Sequence, residues 1–313
     1  MTGLLWDMSV LDPRLVEQIA EELLTEPGLI EKDWYLVRAI GAMAEMDHGG
    51  AAPAFSGGTA LSKGWGLIER FSEDIDFKVT MPEVASRNRA KNDRSAYRTR
   101  VLGALENAGY TLAGEPLKGN ENRFFSADCL YPGVFDAAAG LRPFLRVEMT
   151  LSPPSLPPIT RPIRSLIATV QGQPAEVAAF PCVDPAETAA DKLSALVWRV
   201  LARKRGCEDD DPSIIRHLHD LAALKATVEA SRAFRGLAAK AMAGDVGRGG
   251  ITETDPNARL AAVLDRLGTD RLWAEEYEDY VRQVSYADPA ERIGFTTALA
   301  ALQALAASVT PAS

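Results

Sequence analysis

The stretch Phe55-Ser56-Gly57-Gly58-Thr59-Ala60-Leu61 is followed, after a short helical run, by Arg70-Phe71-Ser72-Glu73-Asp74-Ile75-Asp76-Phe77. In a β-strand alternate side chains share a face, so Asp74 and Asp76 project together while Ile75 and Phe77 enter a core. Two carboxylates converging on one face can chelate a hard cation. Magnesium prefers oxygen ligands and takes one or two carboxylates together with substrate phosphates, which is what such a strand offers a nucleoside triphosphate. Gly57 and Gly58 remove Cβ atoms where backbone N–H groups would approach phosphate oxygens, and Ser56 or Thr59 can add a hydroxyl. Singly, an Asp-x-Asp or a Gly-Gly is common in ordinary surface turns. The order, with Asp74 sixteen residues after Gly58, makes the combination informative.

The rest of the chain reads as an α+β protein built around that constellation. Apolar residues in VEQIAEELL and WYLVRAIGAMAEM recur at helical spacing, predicting two helices over 13–25 and 29–47. From about 53 to 180 short β-like runs follow: PAFSG, DIDFKV, FFSADCLY, FLRVEMTLS and the stretch from Ile163 to Val170. One long helix interrupts them, entered at Thr80-Met81-Pro82-Glu83 as a capping box and running to about Asn107. Five prolines between Ser152 and Pro162 mark a connection or an edge crossing. After Asp184-Pro185-Ala186-Glu187, a helix start, the pattern stays helical, with further helices near 213–226, 228–243, 256–267, 270–283 and 289–308. The organisation expected is therefore N-terminal helices plus a small mixed-sheet core over 1–180, and a C-terminal helical domain over 181–313.

Bulk properties set limits. With 313 residues, 47% of them hydrophobic, the chain can bury a sizeable core. No apolar run approaches the roughly 20 residues of a membrane span, and acidic residues enter too early for a signal peptide, which places the protein in the cytoplasm and off the membrane. Cys129, Cys182 and Cys207 are far apart and odd in number, so they suggest buried apolar residues rather than disulfides or zinc. A net charge of -9 argues against nonspecific coating of nucleic acid but leaves room for a local basic patch.

Two-metal transfer uses a third carboxylate, and Glu148 in Leu145-Arg146-Val147-Glu148-Met149-Thr150 stands in an otherwise apolar strand. It can bind a second metal or deprotonate an acceptor hydroxyl; the bland reading has it facing solvent or paired with Arg146. Asp128 and Asp136 are poorer candidates. Lys63 and Arg70 lie near the proposed phosphates in sequence, although either can simply solvate the intervening helix.

Gly57-Gly58-Thr59-Ala60-Leu61, Arg70-x-Ser72-x-Asp74-Ile75-Asp76-Phe77, Asp191-Lys192-Leu193-x-Ala195-Leu196 and Arg216-x-x-x-Asp220-Leu221 resemble the AbiEii/AbiGii nucleotidyltransferase toxins of the polymerase-β-like superfamily. The resemblance implies a magnesium-dependent nucleotidyltransferase that blocks growth, in some members by adding nucleotides to the tRNA 3′ end, and that is paired with an antitoxin. The matching positions are Gly57, Asp74, Asp76, Lys192 and Asp220. An ammonium at Lys192 would neutralise charge on the departing pyrophosphate, and Asp220 would orient it or position the nucleotide. The alternatives are an exposed helix lysine and an i,i+4 pair with Arg216. His217 and His219, just before Asp220, depart from the family's pattern; two residues apart on a helix, they face different ways and make no zinc site.

RNRAKNDRSAYRTR, from Arg87 to Arg100, holds six basic residues and one acid. On a helix Arg87, Lys91, Arg94 and Arg98 form one stripe that can track a phosphate backbone, with Tyr97 near enough to stack on a base; a solvated face is the competing account. Arg199 and Arg203 share a helical face with Lys192 and would extend a basic surface, while Glu208 to Asp211 reads as a solvating acidic run. The expected activity is transfer of NMP from an NTP, with magnesium, to an RNA acceptor. The alternatives are transfer to a protein or small molecule, and a nucleotide-binding module without turnover.

Overall fold

The computed structural model describes residues 11–138, 141–208 and 210–309, so expectations placed on residues 1–10 and on Asp209 lie outside the described residues. Its strands are β1 Ala52–Ser56, β2 Asp74–Thr80, β3 Thr111–Leu112, β4 Leu117–Gly119, β5 Phe124–Leu130, β6 Leu145–Thr150, β7 Ile159–Ile163 and β8 Val177–Cys182. They form one mixed sheet in the order β3-β5-β6-β2-β1-β8-β7, with β4 pairing β5. The helices are α1 Pro13–Glu22, α2 Pro27–Glu45, α3 Gly57–Lys63, α4 Arg87–Asn107, α5 Leu166–Val170, α6 Pro185–Ala202, α7 Arg216–Ala223, α8 Lys225–Ala230, α9 Phe234–Gly244, α10 Pro256–Thr269, α11 Leu272–Val284 and α12 Phe295–Val309.

Strand β2 lies between β1, antiparallel to it, and β6, parallel to it. Its residues alternate between buried Ile75, Phe77 and Val79 and half-buried Asp74, Asp76 and Lys78. The apolar set packs with Phe55, Val147, Met149 and α2 and α4 residues such as Leu36 and Val101 into one core. A second core is formed by the facing sides of α6 to α12, where Leu193, Leu218, Trp273 and Leu302 are fully buried. The opposite face of β2 is left for the polar residues, and α6 and α7 supply the wall across from it.

Several local expectations change. Thr80 does not cap a helix, because it pairs with Ala52 as the last residue of β2, and Pro82 biases Met81 toward extended backbone. The helix starts at Arg87 instead, capped by the Ser86 hydroxyl, which accepts from the Arg89 N–H. The stretch from Ile163 to Val170 is not a strand. Only Ile163 belongs to β7; the Ser165 hydroxyl then accepts from the Ala168 N–H while buried Asp33 accepts from the Leu166 N–H, turning the chain into α5. The proline-rich connection ends in β7, an edge strand where Pro162 removes no interior ladder bond. Cys129 and Cys182 are buried as expected, but Cys207 is exposed after the turn at Gly206.

Candidate active site

The β2 register fixes the centre of the site. Asp76 stands opposite Ser56 on β1 and opposite Glu148 on β6, so the hydroxyl and the two carboxylates share one row across three strands. Asp74, two residues earlier, shares their face. Glu148 is not paired with Arg146: that guanidinium binds Asp128 through two bonds of 2.7 and 2.9 Å. Burial raises the pKa of Asp76, and the neighbouring charges of Asp74 and Glu148 raise it further, with Lys192 and Arg216 opposing. Glu148 is raised in the same direction by burial and Asp74. Crowded carboxylates with raised pKa values are the electrostatic signature of a site that gains by taking a cation.

The glycine turn packs directly on this row. Gly57 has φ +75°, and a Cβ there would stand 2.0 Å from an Asp76 carboxylate oxygen. At Gly58 a Cβ would meet the Ser72 hydroxyl at 2.8 Å and an Arg70 nitrogen at 2.9 Å. The positive φ and the close approach together call for glycine at position 57, while at 58 a side chain would have to displace the Ser72 hydroxyl and the Arg70 nitrogen. Gly57→Ala is accordingly expected to lower transfer activity at least about a hundredfold and to destabilise by roughly 1–3 kcal/mol; nucleotide titration and a melting curve check it, and a variant with wild-type turnover would show that the turn does not have to approach Asp76. Thr59 does not face the cavity. It is fully buried, and its hydroxyl donates to the backbone carbonyls of Asp74 and, at 3.4 Å, Ser72, tying α3 to β2.

Ser56, Gly57, Gly58, Asp74, Asp76 and Glu148 line one cavity of about 270 Å³. Its other wall is an α6 stripe of Thr188, Asp191, Lys192, Ala195 and Arg199, with Arg216 and His217 from α7. Lys192 is buried rather than exposed and pairs with Asp220 at 2.6 Å. Asp220, fully buried, also receives two bonds of 2.6 Å from Arg70, so it holds both cations at the cavity and is not the partner of Arg216. Burial alone would raise the Asp220 pKa, but Arg70 and Lys192 hold it well below the carboxylate range. Burial lowers the Lys192 pKa against the pull of Asp220. Burial drives the His217 pKa well below its usual value, with Lys192, Arg216 and Arg199 adding to the effect, which leaves a neutral imidazole whose ring nitrogens have no hydrogen-bond partner among the described residues.

The remaining expected residues lie elsewhere. Lys63 forms a buried ion pair with Asp33 of α2, because its place at the end of α3 points it away from the turn. Arg203 is held by Asp210 and Glu276, each at 2.6 Å, and covers the Trp273 ring; it does not extend the basic surface, and Asp210 is a partner rather than a solvating charge. Tyr97 is buried at 1% exposure and cannot stack on a base. Arg87, Lys91 and Arg94 line a separate hollow with Glu121 and Arg123, and Arg98 reaches Asn122 and Ser95. Sequence reasoning missed Arg142, which binds Glu73 at 2.8 Å and also Asp74, and undervalued Arg70.

A profile of the nucleotidyl transferase AbiEii toxin family, of type IV toxin–antitoxin systems, matches residues 42–304. The chain belongs to that family. It is a nucleotidyltransferase toxin, with an NTP as substrate and an antitoxin as partner. Among solved structures it is similar to MenT4, a nucleotidyltransferase toxin from Mycobacterium tuberculosis H37Rv, with a TM-score of 0.50 and 19% identity over 92% of this chain and 98% of that one. At that identity the likeness is one of fold, a mixed α/β architecture around one sheet. Comparison with curated proteins gives no match. No helix among the described residues is long and apolar enough to cross a membrane.

Proposed function

We propose that this AbiEii toxin transfers a nucleoside monophosphate from an NTP to the 3′ end of tRNA, with magnesium, and so blocks translation and growth in the cytoplasm. One observation carries the reading: a single cavity unites the Gly57-Gly58 turn, Asp74, Asp76 and Glu148, and the ammonium of Lys192. The tRNA 3′ end comes from the family resemblance. We also take residues 1–180 and 181–313 as the two functional units, with the cavity at their junction.

Among the described residues no group of three acidic, histidine or cysteine side chains makes a metal site by itself. The donor set nevertheless fits magnesium, which takes few protein ligands and completes its shell with phosphates and water. Asp74 and Asp76 would hold it, and bound there it would screen the triphosphate and withdraw charge from the reacting phosphorus. Gly57 and Gly58 N–H groups cradle the outer phosphates. The acceptor 3′ oxygen attacks the α-phosphorus and gives its proton to Glu148, whose proton affinity burial and the Asp74 charge raise above that of an ordinary carboxylate. The bond from the α-phosphorus to the bridging oxygen breaks, pyrophosphate takes the electron pair, and Lys192, fixed by Asp220, stabilises its charge.

Incubation with magnesium, total tRNA and each α-labelled NTP in turn, beside an Asp76→Ala control, tests this. Label on tRNA from the wild type alone is the expected result. Absence of label on tRNA with every NTP overturns the tRNA assignment, and label on protein or small molecules in the same lysate would name the acceptor class instead.

A further inference from the structure

Adjoining the first cavity, with Asp74 and Glu148 lining both, lies a second cavity of about 630 Å³. It shares Arg70, Ser72, Asp74, Glu148, Arg199 and Arg216 with the first. Its own wall adds Arg142, Arg146 and Tyr280, with Gln283 at the edge. Two cavities meeting at one set of carboxylates are what a two-substrate transfer needs: the glycine turn holds the donor's phosphates on the β1 side, and in-line attack brings the acceptor oxygen from the opposite side, past β6.

The chemistry of that side is specific. Arg142, Arg146, Arg199 and Arg216 are each about a third exposed, at 28%, 30%, 33% and 28%. Carboxylates orient them: Glu73 and Asp74, in the cavity wall, take Arg142, Asp211 in the same wall takes Arg199, and Asp128 outside it takes Arg146. A guanidinium has five N–H donors and each carboxylate uses at most two or three, so donors remain for phosphate oxygens. Arg146 shares the face of Glu148, two residues along β6, which places a phosphate-binding group next to the proposed base. Tyr280 is half-buried, packs against the helical core and carries the Arg70 guanidinium 5.8 Å over its ring, and what remains of the ring lines the cavity from the α11 side.

We propose that this second cavity binds the terminal nucleotides of a single-stranded RNA acceptor, with the four arginines on its phosphates and Tyr280 stacked on a base. The proposal rests on the RNA reading given above and sharpens it: the acceptor end is held here and not on the α4 stripe. The hollow lined by Arg87, Lys91 and Arg94 has no residue in common with either cavity at the carboxylates.

The test is anisotropy titration of a short single-stranded RNA oligonucleotide, labelled at its 5′ end and free at its 3′ hydroxyl, without NTP. Arg146→Gln is expected to weaken binding about tenfold and to reduce the dependence of log affinity on log salt by about 0.7, the value for one lost contact on a single strand. Tyr280→Leu is expected to weaken it about fivefold or more, as for a lost base stack. Arg146 does not line the donor cavity, so NTP affinity of Arg146→Gln should stay within about twofold and verify its fold, while Tyr280→Leu, whose ring lies against Arg70 of that cavity, is verified by its melting curve. The combined variant Arg87→Gln, Lys91→Gln, Arg94→Gln and Arg98→Gln should bind RNA like the wild type.

Wild-type RNA affinity in Arg146→Gln and Tyr280→Leu would overturn the proposal, as would a loss confined to the α4 variant. A wild type that binds no RNA yet labels a protein or small molecule in the transfer assay removes the RNA reading itself, and this assignment with it. Label on tRNA together with unaltered binding by the cavity variants would retain the transfer reading and discard only the placement of the acceptor.

Discussion

Asp76→Ala should abolish nucleotidyl transfer, by on the order of 10³-fold or more, while leaving a folded protein at least as stable as the wild type. The two effects have one cause. Asp76 is held in a row with Glu148 and beside Asp74, and burial together with those like charges raises its pKa. A carboxylate kept where its ionised form is disfavoured lowers the stability of the metal-free fold, so removing it is expected to add roughly 0.5–2 kcal/mol, the usual gain when a strained functional group is removed. The sign with pH follows. An acid whose folded pKa exceeds its unfolded value binds its proton more readily when folded, so the stability cost is absent below about pH 4, where Asp76 is protonated in both states. The cost grows as pH rises through the folded pKa and is then constant. The melting-temperature advantage of Asp76→Asn over wild type should therefore be small near pH 4 and largest at neutral pH. Magnesium should close the gap by stabilising the wild type and not the variant. Normal turnover, or a variant that melts well below wild type, would show that Asp76 is part of the scaffold instead.

Much of this arrangement was legible in the sequence, for a physical reason: the features that carry it are local. The two-residue period of Asp74-Ile75-Asp76-Phe77 requires a face for the acids and a face for the core, and the strand has both. Gly57 stands where an Asp76 oxygen leaves no room for a side chain. Features set by distant partners were not legible. Lys63 is adjacent in sequence to the turn, yet the last turn of α3 directs it to Asp33, thirty residues away. Arg142 precedes β6 with no motif around it and becomes part of the site only because the parallel pairing of β2 with β6 brings that segment beside Asp74. The α4 stripe has the right spacing, but spacing reports which residues share a face, not what stands beside it; Tyr97 turns inward, while Arg87 stays exposed with Glu121 at 3.7 Å and Arg98 reaches Asn122. The helix start at Ser86 was missed for a related reason, since the ladder to Ala52 keeps Thr80 in the sheet.

Asp220→Ala should be lost in the opposite manner, through the fold as well as the chemistry. Asp220 is fully buried and is the shared partner of Arg70 and Lys192, both themselves buried. Removing one member of a buried ion group leaves the others uncompensated, at a cost of about 3–5 kcal/mol, a large share of the 5–15 kcal/mol that holds a typical domain together. The expected result is a much reduced denaturation midpoint together with loss of transfer. Lys192→Met separates the two contributions. It takes away the ammonium at the cavity but leaves Asp220 with both Arg70 bonds of 2.6 Å, so stability should change by about 1 kcal/mol or less while turnover falls on the order of a hundredfold. In the double variant Asp220→Ala with Lys192→Met, only Arg70 remains unpaired, and part of the lost stability should return, a coupling of roughly 0.5–3 kcal/mol between neighbours that share a partner. Additive losses in that cycle would mean that Asp220 serves Arg70 alone, and Lys192 would then owe its position to the packing of α6 rather than to the aspartate.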